Sequence, residues 1–396
     1  MTHPISGQGS TPAKHVLAQR SRRIPKACAR APQDGARPIR RLVPAFLLLA
    51  GWLALPLSAA AQPPEEPTPD PWIEERVAVS LQGWQSKGTG DWSISFSGVD
   101  DFGAGPVPYA GKSRLTFDNL KSTVPVLAAR VRATPWLRFS GTYGSGDISG
   151  GTTTDGDWLT IPAYGLKDYY FSESKSDTSG TVTVYDINVL FRIYPWLGRE
   201  SRRIEPDERS RIPPSEPPPG PPREKGVTID LLAGFQSYQD DLTMTNGVQT
   251  VDNERSVSQP FSGLNSKYQF DWNALRAGIA GTIPIGRRFE VRASYAYIFN
   301  ADYRGEAFWN LRTDFRSTPP NFTHSADGGT GSELKISFAY HPTRLLFVEG
   351  GFWAIKLEAK NGIDTVYLSD GSTISSKLDV VTSKREGAFA GIGVKF

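Results

Sequence analysis

The last twelve residues of the chain read Arg385-Glu-Gly-Ala-Phe-Ala-Gly-Ile-Gly-Val-Lys-Phe396. A strand alternates its side chains between two faces. One face of this stretch is therefore aliphatic and ends in an aromatic residue: Ala388, Ala390, Ile392, Val394 and Phe396. The other holds small residues, one ring and a charge: Gly387, Phe389, Gly391, Gly393 and Lys395. Such a stretch, ending on Phe396, predicts the closing strand of an outer-membrane β-barrel. A soluble β-sandwich is the alternative.

Composition agrees with a barrel. The mean hydropathy of −0.36 is too polar for a helical membrane protein, whereas the strands of a barrel are only half apolar. The net charge of +3 carries little weight, because much of the positive charge lies in the N-terminal region and one linker.

The N-terminal region predicts a signal peptide over residues 1–61 with a long basic leader. An apolar run over residues 42–56 is too short and too interrupted to span a bilayer as a helix, although a membrane anchor is the alternative. Ala59-Ala60-Ala61 is a small-residue cleavage site. Cleavage removes the single Cys28 and leaves two histidines, His324 and His341. This excludes a disulfide framework, a cysteine nucleophile and a zinc–thiolate site.

Residues 62–74 form a proline-rich tether, and residues 75–396 predict about ten strands of the barrel. Two strands show the alternation best, and in each we expect the apolar face to lie outward against lipid and the polar face to lie inward in the lumen. Tyr185, Ile187, Val189 and Phe191 oppose Asp186, Asn188 and Arg192. Phe289, Val291, Ala293, Tyr295, Tyr297, Phe299, Ala301 and Tyr303 oppose Glu290, Arg292, Ser294, Asn300, Asp302 and Arg304. Residues 197–225 are proline-rich and cannot pair in a sheet. We interpret them as an insertion in a periplasmic turn, with a polyproline spacer for a partner as the alternative.

The predicted connections alternate in length. Short turns lie at residues 134–136, 283–288 and 341–343, and long polar loops at 148–176, 242–264 and 305–331. Short periplasmic turns and long outer loops are the rule for outer-membrane barrels. We therefore expect a ten-stranded antiparallel transmembrane β-barrel in the bacterial outer membrane, in contact with its lipid, with the loops facing outside. Ten strands enclose a lumen that side chains largely fill, which argues against a wide pore.

The first long loop contains Thr154-Asp155-Gly156-Asp157-Trp158. Two carboxylates two residues apart can converge on one water or one cation and share a proton. The alternative is that Asp-Gly occurs here as an ordinary turn sequence without a catalytic role. No phosphate loop, metal-ligand cluster, cofactor motif or nucleic-acid patch is present.

The sequence resembles the omptin family of outer-membrane proteases along residues 75–396. The resemblance rests on Asp155-x-Asp157-Trp158, on Val184-Tyr185-Asp186-Ile187-Asn188, on Ala233-Gly234-Phe235-Gln236, on Val348-Glu349-Gly350 and on Gly393-Val394-Lys395-Phe396. It implies a surface endopeptidase that cleaves polypeptides near basic residues. It also implies that Asp155 and Asp157 orient the attacking water.

The family has an Asp-x-His pair across the cleft, and this sequence departs from it. Glu306 stands near the expected aspartate, and Phe308, which cannot accept a proton, near the expected histidine. His324 is the only histidine predicted on the outer side, since His341 falls in a short turn. If its loop folds over the cleft, His324 supplies the base; otherwise it is a solvated loop residue.

Two functions stay open. One is an endopeptidase with Asp155, Asp157 and His324 as catalytic residues. The alternative is a non-catalytic surface barrel for binding or adhesion, which kept the scaffold and lost the base. A narrow channel is disfavoured, because the lumen charges can pair across strands.

Overall fold

The computed structural model describes residues 76–101, 105–194, 226–253, 255–286 and 288–396, and these are almost entirely strand. The strands are β1 Val77–Asp101, β2 Pro106–Arg132, β3 Leu137–Ile161, β4 Leu166–Tyr194, β5 Thr228–Asp252, β6 Arg255–Phe261, β7 Ser266–Ile285, β8 Phe289–Phe308, β9 Phe322–Tyr340, β10 Leu346–Tyr367 and β11 Thr373–Lys395. A 3-10 turn, Pro162–Tyr164, separates β3 from β4. No helix among these residues is long and apolar enough to cross a bilayer. The predicted signal peptide, the tether and the 197–225 insertion lie outside the described residues.

Ten of the strands form a closed antiparallel ring. Each pairs with its neighbours along the chain, β5 pairs with both β4 and β7, and β1 pairs with β11 to close the cylinder. The closing register runs from Ala78 opposite Lys395 to Ser95 opposite Lys377. The short β6 pairs with the far end of β5 and stands outside the ring. The predicted ten-stranded transmembrane β-barrel is confirmed, with its last strand in the closing position.

An apolar band surrounds one end of the cylinder. On β8 the outward face is apolar from Phe289 (38% exposed) through Tyr297 (50%) to Phe299 (37%). Ten steps of about 3.4 Å each, on strands tilted by about 40°, cover roughly 25 Å along the barrel axis. That height matches the hydrocarbon layer that a barrel must cross. The band lies next to the turns at residues 133–136, at Gly286 and at residues 341–345, and we call this end of the barrel the short-turn end.

The opposite end, called the distal end, is built from strands that continue beyond the band. The prediction of long loops there is wrong. Most of residues 148–176 belong to β3 and β4, residues 242–252 belong to β5, and only 309–321 remain outside strands between β8 and β9. Above the membrane both faces of a sheet can carry polar residues, so these Ser-, Thr- and Gly-rich stretches lose the alternation that identifies a strand.

The inward–outward alternation of side chains along β8 reverses at Asn300. This residue has a φ of 50°, and the register with β9 shifts on both sides of Ala301. A bulge inserts a residue and reverses the inward–outward alternation beyond it. The prediction that Ala301 and Tyr303 face outward is therefore wrong, because both are fully buried in the lumen.

The short-turn half of the lumen is ionic. Arg276 contacts Asp186 at 2.8 Å and Glu333 at 2.6 Å, and its Nε donates to Asn188 at 2.8 Å. The inward face predicted for Asp186 and Asn188 is confirmed. A cavity of about 190 Å³ lies among these groups and further charged side chains. This half of the lumen is suited to water.

The distal half of the lumen is filled by buried, mostly apolar side chains. Trp84 stacks on Trp353 with ring centroids 4.3 Å apart, and Arg385 lies fully buried beyond them. Further along the axis, Phe117, Tyr268, Phe270 and Tyr303 belong to one apolar cluster that fills the cylinder. We call this region, from Trp84 to the distal end, the plug.

Candidate functional site at the distal end

The acidic pair lies on β3, above the apolar band. Asp155 is directly opposite Leu115 of β2, and Asp157 is opposite Ser113. Directly paired residues share a face of the sheet, and Leu115 is buried in the plug. Both carboxyls therefore point inward and are partly exposed, at the upper edge of the plug.

The two carboxyls have different surroundings. Burial raises the pKa of Asp155 well above its ordinary value, the charge of Asp157 raises it further, and Arg312 opposes both effects. Burial also raises the pKa of Asp157, but hydrogen bonds from Ser113 and Ser172 and the charge of Arg312 work against it. Hydrogen bonds to the ionised form favour ionisation. Asp155 is therefore the member that keeps its proton to higher pH.

Arg312 belongs to residues 309–321, which we call the cap loop. Its Nε and Nη2 donate to the two carboxylate oxygens of Asp314 at 2.9 and 2.7 Å. Its guanidinium carbon lies 4.1 Å from the ring centroid of Phe315. A bidentate fork with a ring beneath it fixes the plane of a guanidinium. The cap loop thus holds one oriented positive charge beside the acidic pair.

His324 lies elsewhere in the distal half. It belongs to β9 and is only 2% exposed, so its prediction as a residue of a long outer loop is wrong. Its Nδ1 is 2.6 Å from the Tyr268 hydroxyl, and its Nε2 is 3.4 Å from Asp364. The rings of Trp92 and Phe322 form T-shaped contacts with the His324 ring, with ring centroids 4.7 and 4.6 Å from its centroid. Burial lowers the pKa of His324, while Asp364 opposes that shift.

The structure does not bring His324 into contact with the acidic pair. Its hydrogen-bond, ionic and ring partners described above come from β1, β7, β9 and β10, whereas the pair lies on β3 and is flanked by β2 and β4.

His341, predicted to be out of reach in a short turn, is buried at the short-turn end, 3.4 Å from Glu290. Among the described residues no cluster of His, Cys, Asp and Glu has the arrangement of a metal site.

The position expected for the family's Asp-x-His pair also brings no carboxylate or imidazole into the lumen. Glu306 is exposed, on the face of β8 opposite to the inward Tyr303 and Ala307. The bulge at Asn300 decides this orientation, since it reverses the faces of the strand. Sequence reasoning missed Asp364 as the partner of His324, and it missed Arg312 as a positive charge near the acidic pair. Neither residue lies in a motif.

A family model described as "Pom: Protochlamydia outer membrane protein" matches residues 223–396, which is less than half of the chain. No curated protein sequence matches. Among solved structures, the outer membrane protease OmpT from Escherichia coli is similar at 13% identity, with 81% of this chain and 96% of that chain covered and a TM-score of 0.60.

The toluene transporter TbuX from Ralstonia pickettii matches at 12% identity over 84% of this chain and 92% of that chain. A FadL homologue of Pseudomonas aeruginosa matches at 8% identity over 82% and 91%. Their TM-scores of 0.27 and 0.24 are too low to add to the fold assignment. The likeness to OmpT shows the fold alone. Together, the family model and the OmpT-like ring support an outer-membrane β-barrel.

Proposed function

We propose that the protein is a plugged barrel of the outer membrane, with its distal end outside the cell, that binds basic segments of polypeptides at Asp155 and Asp157 without cleaving them. The proposal includes the predicted division into a signal peptide over residues 1–61, a tether over 62–74 and a barrel over 75–396 with a periplasmic insertion at 197–225. Both ends of the described barrel lie at the short-turn end, which in outer-membrane barrels faces the periplasm.

One observation carries the non-catalytic part of the proposal. The acidic pair is partly exposed, whereas His324 is enclosed by Tyr268, Asp364, Trp92 and Phe322. A general base must reach the proton that it removes directly or through one water. His324 instead forms part of the plug.

The charge of the carboxyl cluster supports the binding of a basic ligand. Three carboxyl groups, those of Asp155, Asp157 and Asp314, lie near one guanidinium, that of Arg312, which pairs directly with Asp314. The fork to Arg312 lowers the pKa of Asp314, so this group is ionised at neutral pH. Even with Asp155 protonated, the carboxylates of Asp157 and Asp314 outnumber the one guanidinium, and an arginine or lysine side chain brings the matching charge.

The test is a binding measurement on the full-length protein purified from outer membranes. We expect an arginine-containing peptide to bind more tightly than the same peptide with citrulline, and high salt to weaken the difference. Asp157→Asn should weaken binding about tenfold, the order expected for a charge-assisted hydrogen bond. Asp118→Asn, at an exposed position of β2, is the matched control. Equal affinity for both peptides contradicts the proposal.

The second candidate is the endopeptidase. One support is the fold that the chain shares with the protease OmpT. The other is the difference in surroundings between Asp155 and Asp157, because two carboxyls with separated pKa values can serve as acid and base. Mass spectrometry of the incubated arginine peptide tests this. Cleavage that Asp155→Asn abolishes would replace the first proposal with the second. Its further loss in a folded His324→Ala variant would assign the base to His324.

A further inference from the structure

The outer wall of the barrel changes its charge around the circumference. Counted from the short-turn end, most strands have a first charged side chain that points outward, next to a buried neighbour. On β10, β1 and β2 this residue is a lysine, and on β11 it is Glu386, with Lys384 two residues beyond it. On β3, β4, β5, β7 and β8 it is an aspartate. We call the lysines the basic side (Lys356, Lys384, Lys87 and Lys121) and the aspartates the acidic side (Asp147, Asp177, Asp241, Asp271 and Asp302).

The basic side carries like charges in direct cross-strand pairs. Lys87 is directly opposite Lys121, and Lys384 is directly opposite Lys356. Such pairs destabilise a sheet. Glu386 offsets part of the charge, because it contacts Lys384 at 2.9 Å and lies opposite Lys87. Within the described part of the chain, no other carboxylate forms an ion pair with these four lysines. This side of the wall therefore keeps excess positive charge.

The acidic side keeps excess negative charge. Its four strands from β3 to β7, and β8 beside them, are neighbours in the ring. Neutral amides donate to three of its aspartates: Asn246 to Asp177 at 2.8 Å, Gln239 to Asp241 at 2.8 Å and Asn273 to Asp271 at 3.0 Å. Arg304 lies opposite Asp271 in the register, and its Nη1 contacts the exposed Asp327 at 2.7 Å. One arginine that already has a carboxylate partner does not neutralise five aspartates.

We infer that the basic side of one barrel binds the acidic side of a second copy in the outer membrane. Both sides lie just beyond the apolar band, so two copies in one membrane present opposite charges to each other at a similar depth. Phosphate headgroups would suit the basic side but repel the acidic side, whereas a second copy matches both. Because the two sides are different surfaces, the contact is heterologous, and it extends into rows or closes into a ring. It does not depend on the binding of peptides at Asp155 and Asp157.

Charge reversal tests this contact in isolated outer membranes. A carbodiimide joins amines to carboxylates that touch, and two epitope tags identify links between copies. Lys87→Glu with Lys121→Glu gives a barrel with two acidic sides, and Asp241→Lys with Asp302→Lys gives one with two basic sides. We expect each protein expressed alone to lose the link that the wild type forms, because like sides repel. The two expressed together should regain it.

Lys112→Glu with Lys377→Glu is the matched control, because both lysines are exposed on the same strands as the basic side but nearer the distal end. This variant should link as the wild type does. Salt at about 1 M should weaken the link, since exposed ion pairs are individually weak and screened. The heat-modifiable gel shift checks that each variant is folded.

Three results overturn the inference. The first is a mixed pair that stays unlinked although both proteins fold, which is also the result expected if the basic side holds only lipid phosphates. The second is linking by the reversed proteins alone that equals the wild type, which would mean random collision in a crowded membrane. The third is a wild type that forms no link.

Discussion

Asp155 shows how one residue links the wall of the barrel to the chemistry of the site. It lies opposite the buried Leu115, so the plug removes water from one side of its carboxyl. Asp157, two residues further on, instead receives hydrogen bonds from Ser113 and Ser172. Two aspartates of one strand face therefore differ because their cross-strand neighbours differ. The pattern Asp-x-Asp alone predicts that the two interact, but not which one holds the proton.

This difference predicts the stability of an Asp155→Asn variant. Because the pKa of Asp155 is raised, the folded state binds more protons than the unfolded state between the ordinary and the raised value. Stability contributed by the protonated form is then lost as pH rises through that window. Asparagine cannot ionise, so Asp155→Asn should melt at a higher temperature than the wild type at pH 7.5. The two should converge toward about pH 4, near the ordinary pKa of aspartate.

Thermal unfolding in detergent across this pH range measures the effect. Asp118→Asn, on the exposed face of β2, should follow the wild-type curve. A variant that is less stable than the wild type at pH 7.5 and equal to it at pH 4 would show that Asp155 is stabilised as an anion, against this account.

At the scale of the strand, alternation predicts the membrane-crossing part and fails beyond it. The faces of β4 and of β8 up to Phe299 follow the sequence, because lipid outside and charge inside impose strict alternation. Above the band water replaces lipid, and nothing in the pattern marks where β3 ends. The bulge at Asn300 was equally hidden, since a single asparagine in a strand has several meanings. The acidic pair could be found from sequence, whereas the position of the Arg312 charge near it depends on how the cap loop folds.

The Asn300 bulge can be tested by substitution. A φ of 50° is in the left-handed region, which costs a residue with a bulky Cβ about 1–2 kcal/mol. Asn300→Val should therefore lower the free energy of unfolding by about that amount. Asn300→Gly, which adopts this conformation readily, should match or exceed the wild type. Urea unfolding followed by the heat-modifiable gel shift measures both, and equal destabilisation by Val and Gly would mean that the asparagine side chain matters instead.

At the scale of the whole barrel, Arg385 ties opposite walls together. From β11 its Nε donates to the Tyr238 hydroxyl at 2.9 Å, and its Nη2 contacts Asp240 at 3.0 Å, both on β5. Its Nη1 donates to Ser122 of β2 at 2.8 Å. A Cβ at position 88 would lie 2.6 Å from Nη2, so Gly88 leaves the room that the guanidinium needs.

Breaking this link should be costly. Arg385→Met leaves the Asp240 carboxylate buried without its cation, which typically costs about 3–5 kcal/mol. The double variant Arg385→Met, Asp240→Asn removes both charges and should recover much of that loss. Urea unfolding compares the three proteins. If the double variant is as unstable as the single one, packing around Arg385, rather than an uncompensated charge, is what holds the walls together.

The side chains that fill the lumen also determine whether ions can pass through the barrel. The cavity of about 190 Å³ in the short-turn half has room for about six waters. Above it stand the Trp84–Trp353 stack, the Arg385 link and the aromatic cluster around Phe270. An ion would have to displace the buried side chains of the plug. We therefore expect no steady single-channel current when the purified protein is inserted into planar bilayers, even in a Trp84→Ala variant, because the plug beyond position 84 remains. Steady ohmic current through the wild type would show that the plug opens in the membrane and would restore the channel as a candidate function.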